Sequence, residues 1–121
     1  MAELRNISFV MPVRDEEAYL QTAVESVYSQ DVPGEMELVL AIAPCKDRTL
    51  EIAKELAVRF PGLQIVENPK GITPAALNLA IAKSKYEVVL RVDAHSELSA
   101  GYAKLALEIL NQTGAGNVGG M

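Results

Sequence analysis

A chain of 121 residues, half of them hydrophobic, has room for one compact α/β domain with a real core, which excludes two domains and wholesale disorder. Its net charge of -5 makes it a poor non-specific partner for nucleic acid or anionic lipid, yet leaves open a local phosphate site built from backbone N–H groups and a metal. A single cysteine, Cys45, excludes an intrachain disulfide, and a single histidine, His95, leaves little material for a zinc or thiol-nucleophile site.

Strand-like and helix-like segments alternate along the chain. Ile7–Val13 (ISFVMPV) is a continuous apolar run of the kind that suits a strand buried on both faces. Asp15 then reads as an N-cap, with Glu16 and Glu17 in a first helical turn, where the helix dipole favours anions. Leu20, Ala23, Val24 and Val27 follow on one helical face, and Val32-Pro33-Gly34 ends the helix. Glu37–Ala43 (ELVLAIA) is a second buried-type strand, closed by Pro44-Cys45-Lys46. Cys45 reads most simply as a small packed thiol at a strand end. Asp47 is expected to cap a helix that buries Leu50, Ala53, Leu56, Ala57 and Phe60 and stops at Pro61-Gly62.

Leu63–Val66 is a short third strand, followed by the turn residues Asn68–Ile72. Thr73-Pro74 reads as an N-cap and an N1 proline, opening a helix with Leu77, Ala80 and Ile81 inward. Tyr86–Val92 (YEVVLRV) is a fourth strand that ends at Asp93. Ser99 is placed to cap a last helix with Tyr102, Leu105, Ala106 and Ile109 inward. The tail Gly114–Met121 reads as the start of another, interrupted element. No window approaches the roughly 18 apolar residues of a membrane span, and the N-terminus lacks a signal-peptide pattern. The expectation is a soluble, cytoplasmic chain.

Helical crossovers between buried strands imply an α/β fold, a Rossmann-like open parallel sheet of strand order 3-2-1-4 with helices on both faces. In such a sheet, ligands bind beyond the carboxyl ends of the strands, where the strand order reverses. The residues there are Pro12, Arg14, Asp15 and Glu16 after the first strand, and Pro44, Cys45, Lys46 and Asp47 after the second. Asn68, Lys70 and Gly71 follow the third, and Asp93, Ala94, His95 and Ser96 the fourth. Asp93 and His95 stand at i and i+2, so in extended chain both side chains can reach one metal or one phosphate. The competing reading makes Asp93 a turn cap and His95 a solvated loop residue. Arg91, a charge inside the fourth strand, either points to solvent or pairs with a carboxylate. A dinucleotide fingerprint, a P-loop and a hydrolase nucleophile elbow are all missing.

These residues resemble a family. Ile7–Leu20 (ISFVMPVRDEEAYL) is similar to the opening of the inverting family 2 glycosyltransferases of GT-A fold: an apolar strand, a proline, a polar turn with Asp and Glu, then a helix. Asn68–Ala82 (NPKGITPAALNLAIA) resembles their glycine-containing loop and the helix whose asparagine is here Asn78. Val88–Ser96 (VVLRVDAHS) stands where that family has D-x-D, most like the exopolysaccharide-type branch that carries D-A-H.

The resemblance implies a nucleotide-sugar-binding half of a GT-A fold. Pro12, Val13, Asp15, Glu16 and Ala43 would line the nucleotide pocket, Asp93 would lie near ribose and diphosphate, and Asp93 with His95 would hold Mg²⁺ or Mn²⁺. The donor would be a UDP- or GDP-linked sugar, transferred with inversion to an acceptor hydroxyl. The family's catalytic base is expected beyond Met121, so the chain by itself is expected not to transfer sugar. Its fourth strand, left as a sheet edge, is expected to support a homo-oligomer. The intact protein could then sit at the cytoplasmic face of a membrane. Two departures stand out. The aspartates that the family carries after its second strand are replaced within Ala41-Ile42-Ala43-Pro44-Cys45, and its arginine before the helix asparagine is Leu77. The alternatives are a nucleotidyltransferase-like domain, against which the glycine-free Pro12–Glu16 segment argues, and a non-catalytic nucleotide-binding domain.

Overall fold

The computed structural model describes residues 5–95 and 97–113. Ser96 and the Gly114–Met121 tail lie outside the described residues. Four strands and four helices alternate: β1 (Ile7–Val13), α1 (Leu20–Tyr28), β2 (Met36–Ile42), α2 (Thr49–Arg59), β3 (Leu63–Glu67), α3 (Thr73–Lys83), β4 (Val88–Arg91) and α4 (Tyr102–Thr113). The sheet is parallel, in the order β3-β2-β1-β4, as expected. Each step from β1 through β2 to β3 moves one way across the sheet. The step to β4 jumps back over β1, so the strand order reverses at β1.

That reversal sends the crossover helices to opposite faces. One face is covered by α1, α2 and α4, whose Leu20, Val24, Ala53, Leu56, Ala106 and Leu110 pack on Ile7, Phe9, Leu38, Leu40 and Leu90. On the other face α3 is the one helix among the described residues. It covers Val10, Val39 and Ala41 with Ala76 and Ala80, small residues that let helix and sheet approach closely. Strands buried on both faces explain the uninterrupted apolar runs that mark them in the sequence.

Several boundaries and faces depart from expectation. The helix after β1 begins at Leu20, one turn later than Asp15 implied. Asp15 takes a left-handed conformation with φ 48°, which lets its loop turn back toward the next strand's loop instead of opening a helix. Around Thr73 the helix starts one residue early, with Ile72 at the N-cap and no side-chain cap. β4 is shorter than Tyr86–Val92 because Lys85 N donates to Glu37 Oε2 at 2.7 Å and Tyr86 N donates to Ser8 Oγ at 3.1 Å, so side chains take the place of the ladder.

Three helices turn differently from the stripes read in sequence. In α2 Leu50 is exposed, and Phe60 lies beyond the helix in extended conformation. α3 buries Ala76 and Ala80, while Ile81 is half exposed. α4 buries Ala103, Ala106, Leu107 and Leu110, leaving Leu105 and Ile109 outside. The α4 cap is Gln30, whose Oε1 accepts from Ala103 N at 3.0 Å while its Nε2 donates to Ser99 O at 2.9 Å. The β4 side chains Val88 and Leu90, and Val92 just after them, are buried, so what the edge offers is backbone rather than an apolar face. No helix among the described residues is long and apolar enough to cross a membrane.

Candidate functional site

The carboxyl ends of β1, β2 and β4 come together over the start of α3. They enclose a cavity of about 270 Å³ lined by Pro12, Val13, Glu16, Ala43, Asp93 and His95 among others. Of the seven residues that the resemblance assigns to nucleotide and metal, all but one are therefore brought to one place. The exception is Asp15. Its Oδ1 accepts from Lys46 N at 2.7 Å and its own N–H donates to Cys45 Sγ at 3.4 Å, so it faces the β2–α2 loop.

That loop-to-loop clasp fixes the rim of the cavity. Thr49 Oγ1 accepts from Glu16 N at 2.8 Å, and Asp47 Oδ2 accepts from Glu17 N at 3.3 Å. Asp47 Oδ1 accepts from Thr49 N at 3.0 Å and from the Thr49 hydroxyl. The Thr49 hydroxyl is the main reason the Asp47 carboxyl is held below its ordinary range, with backbone N–H groups assisting against partial desolvation. Asp47 is not the N-cap as expected, since Arg48 takes that position and α2 begins at Thr49; Asp47 stands one residue earlier, where it binds Thr49 and also holds the β1–α1 loop. Cys45 is half-buried against the core and donates to Ala43 O at 3.1 Å. The ligand atoms of Asp15, Cys45 and Asp47 lie within 4.8 Å of one another. Backbone N–H bonds to Asp15 and Asp47 explain their placement, and the Cys45 bond to Ala43 O explains the third.

On the other rim, His95 Nδ1 lies 3.5 Å from Glu16 Oε1. His95 is exposed, Asp93 and Glu16 are half-buried, and Ala94 between them is packed down. The i and i+2 spacing thus does deliver Asp93 and His95 to one cavity. Asp93, His95 and Glu16 all line this cavity, and carboxylate and imidazole are donor types that suit a dication such as Mg²⁺ or Mn²⁺. Among the described residues, however, the ligand atoms of these three do not converge as those of Asp15, Cys45 and Asp47 do.

A second, larger cavity of about 460 Å³ adjoins the first. It lies between α2 and the carboxyl ends of β2 and β3 and is walled by Ile42, Pro44, Leu50 and Ile65. Ala43 and Asn68 line both cavities. With only a methyl group at Ala43, nothing large from β2 separates the polar cavity from the apolar one. The exposed Leu50 is accounted for by this wall.

The sequence reading missed Thr73, Ala76 and Arg91 as wall residues. Thr73 and Ala76 come from α3, which reaches the site by crossing the sheet rather than by following a strand. Arg91 did carry a signal, its charge inside an apolar strand.

Comparison with known proteins places the chain. The family described as Glycosyl transferase family 2 matches residues 8–121. The succinoglycan biosynthesis protein ExoA of Rhizobium meliloti (strain 1021) is 31% identical over 111 residues, covering 90% of this chain and 34% of that protein. A dolichyl N-acetyl-alpha-D-glucosaminyl phosphate 3-beta-D-2,3-diacetamido-2,3-dideoxy-beta-D-glucuronosyltransferase of Methanococcus voltae is 28% identical over 105 residues, covering 84% of this chain and 33% of that protein. The crystal structure of S. aureus TarS 1-349 superposes with a TM-score of 0.77 at 24% identity, over 88% of this chain and 32% of that one. The last likeness is one of fold. This chain spans about a third of the length of the curated relatives it matches.

Proposed function

The chain belongs to glycosyl transferase family 2, and from that premise we propose that it forms the donor-binding half of an inverting, metal-assisted glycosyltransferase acting in polysaccharide assembly. The observation that supports this reading is the convergence of Pro12, Val13, Glu16, Ala43, Asp93 and His95 on one cavity at the point where strand order reverses. The donor is a nucleotide-diphosphate sugar, UDP- or GDP-linked. Its base enters the apolar cavity between α2 and the ends of β2 and β3, passing over Ala43, and its diphosphate lies in the polar cavity beside Asp93.

Asp93 and His95 are the residues that would hold Mg²⁺ or Mn²⁺, with Glu16 at the side of the imidazole. When bound, the dication supplies Lewis-acid neutralisation of the departing nucleotide diphosphate. The chain's own groups do the positioning. The Asp47 and Thr49 clasp fixes the loop that carries Glu16. The bonds of β4 to β1, continued by Val92 N donating to Val10 O at 2.9 Å, hold the base of the Asp93–His95 segment. Fixed ligands are what a charge-stabilising site requires. A homo-oligomer through the β4 edge belongs to the same proposal.

Two protein ligands are few for a dication, so diphosphate oxygens must complete its shell and metal and nucleotide must bind cooperatively. Calorimetric titration of UDP and GDP with and without Mn²⁺, for the wild type and His95→Ala, tests this. Mn²⁺ should tighten nucleotide binding in the wild type, and His95→Ala should lose most of that gain. Equal enhancement in both proteins would make His95 a solvated loop residue.

A further inference from the structure

Arg91 ends β4 on the α3 side of the sheet. Its neighbours Leu90 and Val92 enter the core on the other side, and Val89 packs with the α3 face. No carboxylate among the described residues pairs with it, although Asp93 and Glu16 line the same cavity. Its Nε is buried and has no hydrogen-bond partner. A half-buried guanidinium without a counter-ion is costly unless something else supplies the charge.

A second orphan lines the same cavity from the far edge of the sheet, after β3. Asn68 is only 2% exposed. Its Nδ2 donates to Ile72 O at 3.0 Å, which fixes the amide's orientation, since a carbonyl can only accept. Its Oδ1 is left buried without a donor. Among the described residues these are the two buried side-chain polar atoms without a partner, and both residues line the cavity of about 270 Å³. One lacks an acceptor, the other a donor. The same wall contains Thr73 at the start of α3, an eleven-residue helix whose N-cap, Ile72, has no side-chain acceptor to offer. Its positive end adds to the cation.

We propose that Arg91 is a phosphate-binding residue of the donor site, pairing with an oxyanion of the nucleotide diphosphate, while Asn68 Oδ1 accepts from a hydroxyl or N–H of the same ligand. The inference rests on the donor-binding reading above and adds a contact from the end of β4, on the α3 side of the sheet, to the lining of the same cavity. A guest with both oxyanions and hydroxyls answers both orphans, which neither a neutral sugar nor a simple cation does. The planar fork of Arg suits a phosphate better than the point charge of Lys.

The experiment measures UDP, GDP and inorganic pyrophosphate binding to wild type, Arg91→Met and Arg91→Lys at constant Mg²⁺ and two salt concentrations. Thermal melts and circular dichroism confirm that each variant is folded. Loss of a charge-assisted contact should weaken nucleotide diphosphate binding about ten- to a hundred-fold in Arg91→Met and flatten its salt dependence. Arg91→Lys should recover part of the affinity. Folded Arg91→Met that binds within two-fold of wild type, with unchanged salt dependence, overturns the inference and leaves the donor-binding reading intact. Arg91-dependent pyrophosphate binding with no tighter binding of either nucleotide keeps the anion contact and removes the nucleotide. Binding of none of the three by wild type removes both.

Discussion

The Ser8 hydroxyl donates to Glu37 Oε2 at 2.6 Å, across the β1–β2 pair and far from the ligand end of the sheet. Both residues are fully buried. Gln64 Nε2 donates to Glu37 Oε1 at 2.8 Å and Lys85 N to Oε2, while Ser8 Oγ in turn accepts from Tyr86 N. One carboxylate therefore joins β1, β2, β3 and the entry to β4. The small apolar patch under α3 lies between this polar anchor and the cavity at the opposite end. The anchor sets where β4 starts, and through β4 where Asp93 and His95 emerge.

Glu37→Gln should cost about 3 kcal/mol of stability, measured by urea denaturation. The amide replaces an acceptor oxygen with an N–H₂ group that faces existing donors, and donors left unpaired in the interior are expensive. Glu37→Ala should cost at least as much. A loss below about 1 kcal/mol for both variants would mean that water or a rearranged strand end supplies the acceptors.

Tyr28 links stability to high pH. Its hydroxyl donates to Pro61 O at 2.9 Å, and its ring stacks on Phe60 with centroids 4.5 Å apart. Burial, and then the charge of Glu37, push its pKa up to about 12 from 10.0. The folded value lies above the unfolded one. Its contribution is thus fully present below pH 10 and is lost as pH rises toward 12. Stability measured by denaturant should fall across that window, and Tyr28→Phe should lessen the slope. An unchanged slope in Tyr28→Phe would place the alkaline loss on other groups.

Strands and helix faces were unequally legible in the sequence. Ile7–Val13 was readable to the residue because a strand covered on both faces must be apolar throughout, whatever its neighbours. Strand order followed from crossover geometry. The gathering of Asp93, His95 and Glu16 followed from strand-end positions. Asp15 was misplaced because cap chemistry and a left-handed turn use the same residue types, and only the partner loop decides between them. Glu37 looked like an ordinary strand start, since the donors that bury it come from residues 8, 64 and 85. Arg91 was visible as an anomaly, but its cavity depends on α3 crossing the sheet.

The α4 helix shows the same limit in a form that can be measured. Its sequence offers two overlapping apolar stripes, because Tyr102, Ala103, Leu105, Ala106, Leu107, Ile109 and Leu110 are all apolar or aromatic. Periodicity alone does not choose between them. The fold chooses Ala103, Ala106, Leu107 and Leu110, since Gln30 grips the first turn at Ala103 and so fixes the rotation. Leu110 is fully buried, and Leu105 is 56% exposed. Leu110→Ala should therefore cost about 3 kcal/mol, the transfer term plus the cavity it leaves. Leu105→Ala should change stability by no more than about 0.5 kcal/mol, as surface substitutions do. Urea denaturation of the two variants side by side makes the comparison, with equal slopes confirming that both unfold the same surface. A larger loss for Leu105→Ala than for Leu110→Ala would mean that α4 is turned to bury its other stripe, and the contact between Gln30 and Ala103 would have to go with it.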